Sequence, residues 1–102
     1  MEVKSTTNGR ALTLALRGEL DHHAARETVT AIERALEAGL PMQLVLDFGG
    51  VTFMDSSGIA VVMRAFRRMT VLGGSLALVN VPMQAKRVFD AAGISTRVSM
   101  EG

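Results

Sequence analysis

One stretch of the chain, residues 44–69, limits the possible folds more than any other. It begins with the apolar run Leu44–Leu46, which is short enough to be a β-strand that is buried on both faces. Two glycines follow at positions 49 and 50, and we expect them to break this strand. A second apolar piece, Val51–Met54, then leads to the sequence Asp55-Ser56-Ser57-Gly58.

A helix is predicted directly after this sequence. Apolar residues recur there at i, i+3, i+4 and i+7, which is the spacing of one stripe on an α-helix. These residues are Ile59, Val62, Met63 and Phe66. Ser56 and Ser57 therefore stand where a helix begins. Because backbone N–H groups lack partners there and the helix dipole is positive, the sequence predicts an N-cap and also a place that suits a phosphate group.

Upstream of this stretch, the pattern predicts a hairpin and a first helix. Asn8-Gly9 lies between the strand-like runs Val3–Thr7 and Ala11–Leu16, which is a strong hairpin signal. The chain then enters a helix that is predicted to end at Gly39, with Pro41 following. The predicted apolar stripe of this helix consists of Ala25, Val29, Ile32 and Leu36.

Downstream, a strand, a helix and a short last strand are expected. Leu76–Val79 is typical of a buried strand, and Pro82 suits the first turn of a helix that starts at Met83 and is closed by Gly93. Thr96–Met100 is predicted to be the last strand. The order β-β-α-β-α-β-α-β predicts an α/β fold, with a mostly parallel central sheet and helices packed on it.

Two loops are predicted to meet at one end of this sheet. If the strand that ends at Arg17 is parallel to the strand that ends at Phe48, the loops that follow them lie at the same end. These loops are Gly18–His23, which is acidic and carries both histidines, and Gly49–Ser57, which carries the serines.

Composition argues against several classes of function. Eleven basic and ten acidic residues leave a net charge of +1, and there is no Trp or Tyr, so we expect no nucleic-acid partner. No apolar run is long enough to cross a membrane, and no P-loop motif is present that would bind ATP. The absence of Cys excludes disulfides and fits the cytoplasm. We therefore expect a cytoplasmic monomer with no membrane partner and no cofactor.

The residues around the serines admit more than one role. Ser56 is either an N-cap or a phosphoacceptor, and the roles are compatible because a capping serine is held at the surface. Ser57 is expected to support the start of the helix. Asp55 is either a turn residue or a group that orients the Ser56 hydroxyl or contacts the metal-nucleotide of a kinase. Met54 is expected to be exposed at the loop.

The preceding loop also offers alternatives. Glu19 and Asp21 are typical carboxylates at a helix entry, where the helix dipole favours them. His22 and His23 invite a metal site, but adjacent helical positions do not share a face, so we expect no metal. A triad of Ser56, His23 and Asp21 lacks the G-x-S-x-G elbow, so we expect no catalytic residue and no enzyme.

Three arginines follow the serines on the predicted helix. Arg64, Arg67 and Arg68 point away from its apolar stripe. We expect them to form a solvated helix face, although a cationic patch beside the serines would also suit an acidic partner.

Both loops resemble those of a known family. Gly18-Glu19-Leu20-Asp21-His22-His23 and Phe53-Met54-Asp55-Ser56-Ser57-Gly58 are similar to the STAS domain of anti-sigma-factor antagonists. The segment Glu-Leu-Asp-His-His favours the sporulation branch of that family, which acts on sigma factor F. The resemblance covers nearly the whole chain, including the order of strands and helices, and implies a STAS fold.

The resemblance implies a phosphorylation switch. In that family a partner that is both anti-sigma factor and serine kinase phosphorylates the first serine after the aspartate, which is Ser56 here. The unphosphorylated form binds this partner and frees the sigma factor, and a manganese- or magnesium-dependent phosphatase of the PP2C type resets the switch. The resemblance also implies partner contacts at Glu19, Asp21, His22, His23, Met54, Asp55, Ser57 and Gly58.

The family usually ends with a further helix, whereas this chain stops at Gly102, soon after the last predicted strand. We therefore expect one STAS domain over residues 1–102 without that helix. Two other functions stay open as alternatives. One is a nucleotide-binding or weakly NTP-hydrolysing STAS protein, and the other is a STAS subunit of a membrane transport complex.

Overall fold

Two long parallel strands form the centre of the sheet. They run side by side from the pair Ala11–Gln43 to the pair Leu20–Met54 in the computed structural model, which describes residues 1–102. The elements in chain order are β1 (Glu2–Asn8), β2 (Ala11–Leu20), α1 (His22–Gly39), β3 (Gln43–Met54), α2 (Ser57–Leu72), β4 (Ser75–Val79), α3 (Met83–Ala91), a 3₁₀ turn (Ile94–Thr96) and β5 (Ser99–Met100).

The five strands lie in the sheet in the order in which the chain makes them. β1 is antiparallel to β2, and all other neighbours are parallel. Right-handed crossovers that always step in one direction place their helices on one face of the sheet. Alternate residues of the central strands are buried on that face, namely Leu12, Leu14, Leu16, Leu44, Leu46, Phe48, Leu76 and Leu78. The predicted α/β fold with a mostly parallel sheet is confirmed.

The helices are joined to the sheet and to each other by specific contacts. The rings of Phe48 and Phe89 pack edge to face with centroids 5.5 Å apart, which joins α3 to β3.

None of the three α-helices combines the length and apolar content that crossing a bilayer requires.

Two of the three arginines on α2 bind carboxylates of α1. Arg64 lies 3.1 Å from Glu33 and Arg68 lies 3.2 Å from Glu37, so these side chains link the two helices. All three arginines are exposed, as predicted, but two of them carry a structural role that the sequence did not reveal. Because such surface pairs contribute little each, the helices are held together mainly by their apolar contacts.

The predicted hairpin is confirmed. Asn8 pairs with Ala11, so the two residues of the turn are Gly9 and Arg10. Gly9 has a φ of 62°, a conformation that glycine adopts without strain.

The two glycines of β3 do not break the strand, and that prediction is wrong. β3 continues through both to Met54 and carries a bulge there, because it takes three steps from Asp47 to Gly50 while β2 takes two from Ala15 to Arg17. A Cβ atom on Gly50 would lie 2.8 Å from the Leu16 carbonyl oxygen and 3.2 Å from the Arg17 Cα. The glycine is therefore needed because it lets the bulged part of β3 approach β2 closely.

The helix faces differ slightly from prediction. The buried residues of α1 are Ala24, Thr28, Ile32 and Leu36, so Ala25 and Val29 lie at the edge of the stripe. In α2 the buried residues are Gly58, Val61, Val62, Ala65 and Met69, and the other three predicted stripe residues are half-buried. Apart from Met69, the buried side chains of α2 are thus its smaller ones, which permits close packing.

Two element boundaries also differ. α1 includes Gly39, and Leu40 takes the left-handed conformation with a φ of 42°, where a glycine was expected. Of the predicted last strand, Thr96–Met100, only the last two residues form β5, and Thr96 is the end of the 3₁₀ turn. Val98 is buried just before β5, so the apolar character of this segment serves the core more than the sheet.

The close approach at Gly50 yields a stability prediction. We expect Gly50→Ala to lower the free energy of unfolding by about 1–3 kcal/mol, because the added Cβ meets backbone atoms that cannot move independently. Gly39→Ala is the control, since its Cβ would have its nearest neighbour, Pro41, at 3.8 Å within a helix. We expect it to be neutral or to stabilise by about 0.5–1 kcal/mol. Urea unfolding measures both, and equal effects of the two substitutions would contradict this account of Gly50.

Candidate functional site

The ends of β2 and β3 place two helix starts side by side. Leu20 pairs with Met54, and the Asp55 N–H donates to the Leu20 carbonyl at 3.2 Å, so the two strands end together. The predicted meeting of the acidic segment with the serine segment is confirmed. Half of the first predicted loop and most of the second are strand, however, and the actual links to the helices are Asp21 and the pair Asp55-Ser56.

The carboxylate of Asp55 accepts hydrogen bonds from both helices. Its Oδ1 accepts from the Ser57 N–H at 2.8 Å, and its Oδ2 accepts from the His22 N–H at 3.2 Å. Ser57 is the first residue of α2 and His22 is the first residue of α1. One side chain thus satisfies unpaired N–H groups at two helix N-termini, where a negative charge is also favoured by both dipoles. Asp55 is therefore a turn residue, which is the first of the two roles predicted for it.

These contacts favour the ionised form of Asp55. The Ser57 N–H is the main cause that holds the pKa of the Asp55 carboxyl below its ordinary value. Partial burial opposes this shift, whereas the Ser57 hydroxyl, the His22 N–H and the charge of the His22 ring add to it. The carboxylate is therefore negative at neutral pH.

The two serines have different environments. Ser56 is exposed, stands at the N-cap position of α2, and makes no side-chain capping bond. Ser57 is half-buried, and its N–H donates to the Asp55 carboxylate. The predicted capping role of Ser56 is therefore taken by Asp55, and the Ser56 hydroxyl is left free.

Asp21 is the N-cap of α1. Its Oδ1 accepts from the N–H groups of His23 at 3.0 Å and Ala24 at 3.1 Å, and this confirms it as a carboxylate at a helix entry. Glu19 lies within β2, opposite Phe53, and is exposed. Its predicted place at the helix entry is wrong because β2 continues to Leu20.

The histidines lie at the edge of the site. Their rings stack with centroids 3.9 Å apart, so the first turn of α1 brings these adjacent side chains together. The His22 Nδ1 is 3.9 Å from the Asp55 Oδ2. No group of three or more His, Cys, Asp or Glu side chains that could hold a metal is present. The Asp21 carboxylate binds the backbone of His23, so the structure contains no Ser-His-Asp triad.

Two predicted contact residues are buried. The Met54 side chain is fully buried, so its predicted exposure is wrong, and Phe53 beside it is 44% exposed. Gly58 is also buried, and a Cβ there would overlap the Met54 sulfur. Because α2 packs this closely on the end of β3, we exclude Met54 and Gly58 from the surface that a partner can contact.

A shallow groove beside Ser56 separates α2 from α3. Its lining is mostly apolar and consists of Ser56, Ile59, Arg87, Val88, Ala91 and Ala92. Arg87 forms no ion pair. Sequence reasoning did not select this helix as part of the site, and only the fold shows that α3 comes close to the serines.

Comparison with protein families identifies the fold family. Residues 2–101 match the STAS domain. The chain belongs to the STAS-domain family. The match covers nearly every residue of this STAS domain, including both strand ends and both helix starts of the site.

Named relatives of this STAS domain are regulators of sigma factors. It is 32% identical over 81 residues to the anti-sigma F factor antagonist of Lysinibacillus sphaericus. The aligned region covers 79% of this chain and 69% of that protein. It is 27% identical over 94 residues to the anti-sigma F factor antagonist of Paenibacillus polymyxa, with coverages of 92% and 80%. The anti-sigma-B factor antagonist of Bacillus subtilis strain 168 is 30% identical over 94 residues, with coverages of 92% and 83%.

Solved structures agree with this family. The anti-sigma factor antagonist SpoIIAA in its unphosphorylated form superposes with a TM-score of 0.82 at 27% identity, over 97% of this chain and 87% of that chain. The phosphorylated form of the Bacillus cell fate determinant SpoIIAA superposes with a TM-score of 0.74 at 27% identity, over 97% and 90%. The predicted STAS fold and the resemblance to anti-sigma-factor antagonists are thus confirmed.

The double role of Asp55 yields a pH-dependent prediction. Its pKa is lower in the folded than in the unfolded protein, so its contribution to stability is complete above the unfolded value of about 3.9. That contribution is lost as the pH falls through the lower, folded value. We expect Asp55→Asn to lower Tm at pH 7, because an amide has one acceptor oxygen for two N–H groups, and we expect the deficit to shrink below about pH 4.

Thermal unfolding of the wild type and the variant across pH 2–7, about the range in which carboxylates titrate, measures this difference. Asp90→Asn is the matched control, because Asp90 pairs with Lys86 on the surface of α3 and should matter little. A Tm deficit of Asp55→Asn that is as large at the acid end as at neutral pH would contradict the role of the ionised carboxylate.

Proposed function

We propose that this protein is an anti-sigma-factor antagonist that is controlled by phosphorylation of Ser56. Its unphosphorylated form binds an anti-sigma factor that is also a serine kinase, and this binding releases the sigma factor. Phosphorylation by the bound kinase ends the interaction, and a phosphatase of the PP2C type restores it. The protein acts in the cytoplasm as a binding module and has no catalysis of its own.

The observation that carries this proposal is the free, exposed hydroxyl of Ser56. It stands at the start of α2 without a hydrogen bond from its side chain, so a kinase reaches it without breaking a contact. The names of the relatives and the existence of a phosphorylated form of SpoIIAA support the same function.

Ser57 is the less suitable acceptor of the two serines. It is half-buried, and the hydrogen bond from its N–H to Asp55 holds it in the first turn of α2. Phosphorylation of its hydroxyl would place a second negative group against the Asp55 carboxylate, which like-charge repulsion opposes.

The surface around Ser56 suits a protein partner. Exposed Glu19, His22 and His23 lie on the α1 side, and half-buried Asp21 and Asp55 stand between the two helix starts. The groove toward α3 adds apolar side chains on the other side of Ser56. We propose that the kinase contacts this surface, because it must bring its γ-phosphate in line with the Ser56 hydroxyl.

Electrostatic repulsion supplies the switch in this proposal. A phosphate on Ser56 adds about −1.5 to −2 charges at the point that would face the nucleotide phosphates of the kinase. One like-charge pair at ~4 Å in an effective dielectric of ~20 costs on the order of 4 kcal/mol. A cost of that size weakens binding by about a thousandfold, which is enough to separate a bound state from a free state.

The first prediction concerns the acceptor. After incubation with the cognate kinase and ATP, phosphopeptide mass spectrometry should find phosphate on Ser56. Ser56→Ala should abolish the modification, whereas Ser57→Ala, the matched control one residue later, should still be modified at Ser56. Phosphate on Ser57 with Ser56 unmodified would show that the acceptor is misassigned.

The second prediction ranks the affinity of five forms for the kinase in the presence of ADP. Ser56→Ala should bind as tightly as the unphosphorylated wild type, and the phosphorylated protein about a thousandfold more weakly. Ser56→Asp should fall between them, because it adds a single charge on a shorter arm. Ser5→Asp, which adds the same charge on exposed β1, should bind like the wild type.

Calorimetric titration of the kinase with each form gives this ranking. Repulsion at Ser56 is the wrong mechanism if the phosphorylated protein binds as tightly as Ser56→Ala. A loss of affinity in Ser5→Asp equal to that in Ser56→Asp would show that total charge, and not its position, controls binding.

A further inference from the structure

Gln84 of α3 holds the end of β3 immediately before the serines. Its Oε1 accepts from the Met54 N–H at 2.9 Å, and its Nε2 donates to the Met54 carbonyl at 2.7 Å. Both backbone groups of one residue are therefore bound by a single side chain that lies 30 positions later in the chain. No other side chain of the molecule binds both backbone groups of one residue in this way.

This contact replaces a missing strand. β4 pairs with β3 only as far as Asp47, so the last seven residues of β3 have no strand on that side. Backbone groups at such an edge need other partners. The carboxamide of Gln84 offers one acceptor and one donor, which is what a neighbouring strand would offer to Met54.

Met54 is consequently fixed from three directions. It pairs with Leu20 of β2, Gln84 of α3 binds its backbone, and its buried side chain packs against Gly58 of α2. Asp55 and Ser56 follow directly. The position of the Ser56 hydroxyl is thus determined by a residue that itself has little freedom to move.

We propose that Gln84 is a positioning residue for phosphorylation of Ser56. The proposal rests on the proposed function and specifies how α3 takes part in it. Without the two hydrogen bonds, Asp55 and Ser56, which connect β3 to α2, can move more relative to the groove between α2 and α3. The kinase still finds the same surface, but the hydroxyl is less often in line with the γ-phosphate, and small misplacements of that kind reduce rates strongly.

Two variants test this role. Gln84→Met keeps the length of the side chain and removes both hydrogen bonds, whereas Gln84→Glu keeps the acceptor for the Met54 N–H and places a second acceptor against the Met54 carbonyl. Because Gln84 is exposed, water can replace its amide, so we expect both variants to fold. Thr70→Ala is the control, since it removes a hydrogen bond of similar length, 2.9 Å to Phe66, at the other end of α2.

The first measurement needs no kinase. Amide hydrogen exchange should be about tenfold or more faster at Met54 in Gln84→Met, and nearly unchanged there in Gln84→Glu and Thr70→Ala. Unchanged exchange at Met54 in Gln84→Met would overturn the proposal, because the two hydrogen bonds would then not hold the strand end in solution.

The second measurement is steady-state phosphorylation by the cognate kinase. We expect kcat to fall about tenfold or more in both Gln84 variants with KM changed less than about threefold, and no change in Thr70→Ala. Normal kcat in Gln84→Met would overturn the positioning role alone. Absence of phosphate on Ser56 in the wild type would overturn the proposed function, and the exchange result would still report whether Gln84 holds Met54.

Discussion

The carboxylate of Asp55 accepts hydrogen bonds from the first residues of two helices, and this arrangement requires β2 and β3 to end in register. A slip of one residue between the strands would reverse the faces of all later side chains and separate Asp55 from His22. The site therefore depends on long-range pairing within the sheet. It also depends on two bulges of β3, which take up the two extra residues of that strand before the two ends meet.

Much of this arrangement follows from local sequence patterns. The hairpin at Gly9, the alternation of strands with helices and the start of α2 after Asp55-Ser56 all come from signals that act over a few residues. Parallel strands with right-handed crossovers then force the two strand ends to the same edge of the sheet. For this reason the amino-acid sequence alone is enough to predict that the acidic and serine segments are neighbours.

Other features depend on partners that are distant in the sequence. Whether Gly50 breaks a strand or permits a close approach is decided by Leu16 and Arg17 of β2, which lie more than thirty residues earlier. The burial of Met54 and the exposure of Phe53 follow from the second bulge of β3, between Val51 and Phe53, because the inward-facing positions of β3 change phase there. Gln84 carries no local signal at all, since a glutamine in the first turn of a helix is ordinarily a solvated residue.

The sheet order has a consequence for synthesis. Each strand lies next to the strand that precedes it in the chain, so a polypeptide leaving the ribosome can add strands one at a time without waiting for later segments. Asp55 can join the starts of α1 and α2 at that stage, whereas Met54 receives its partner on α3 only 30 residues later. The Ser56 hydroxyl is therefore exposed before the contact between α3 and Met54 fixes its position. A kinase that requires the held geometry would modify completed molecules and pass over nascent ones.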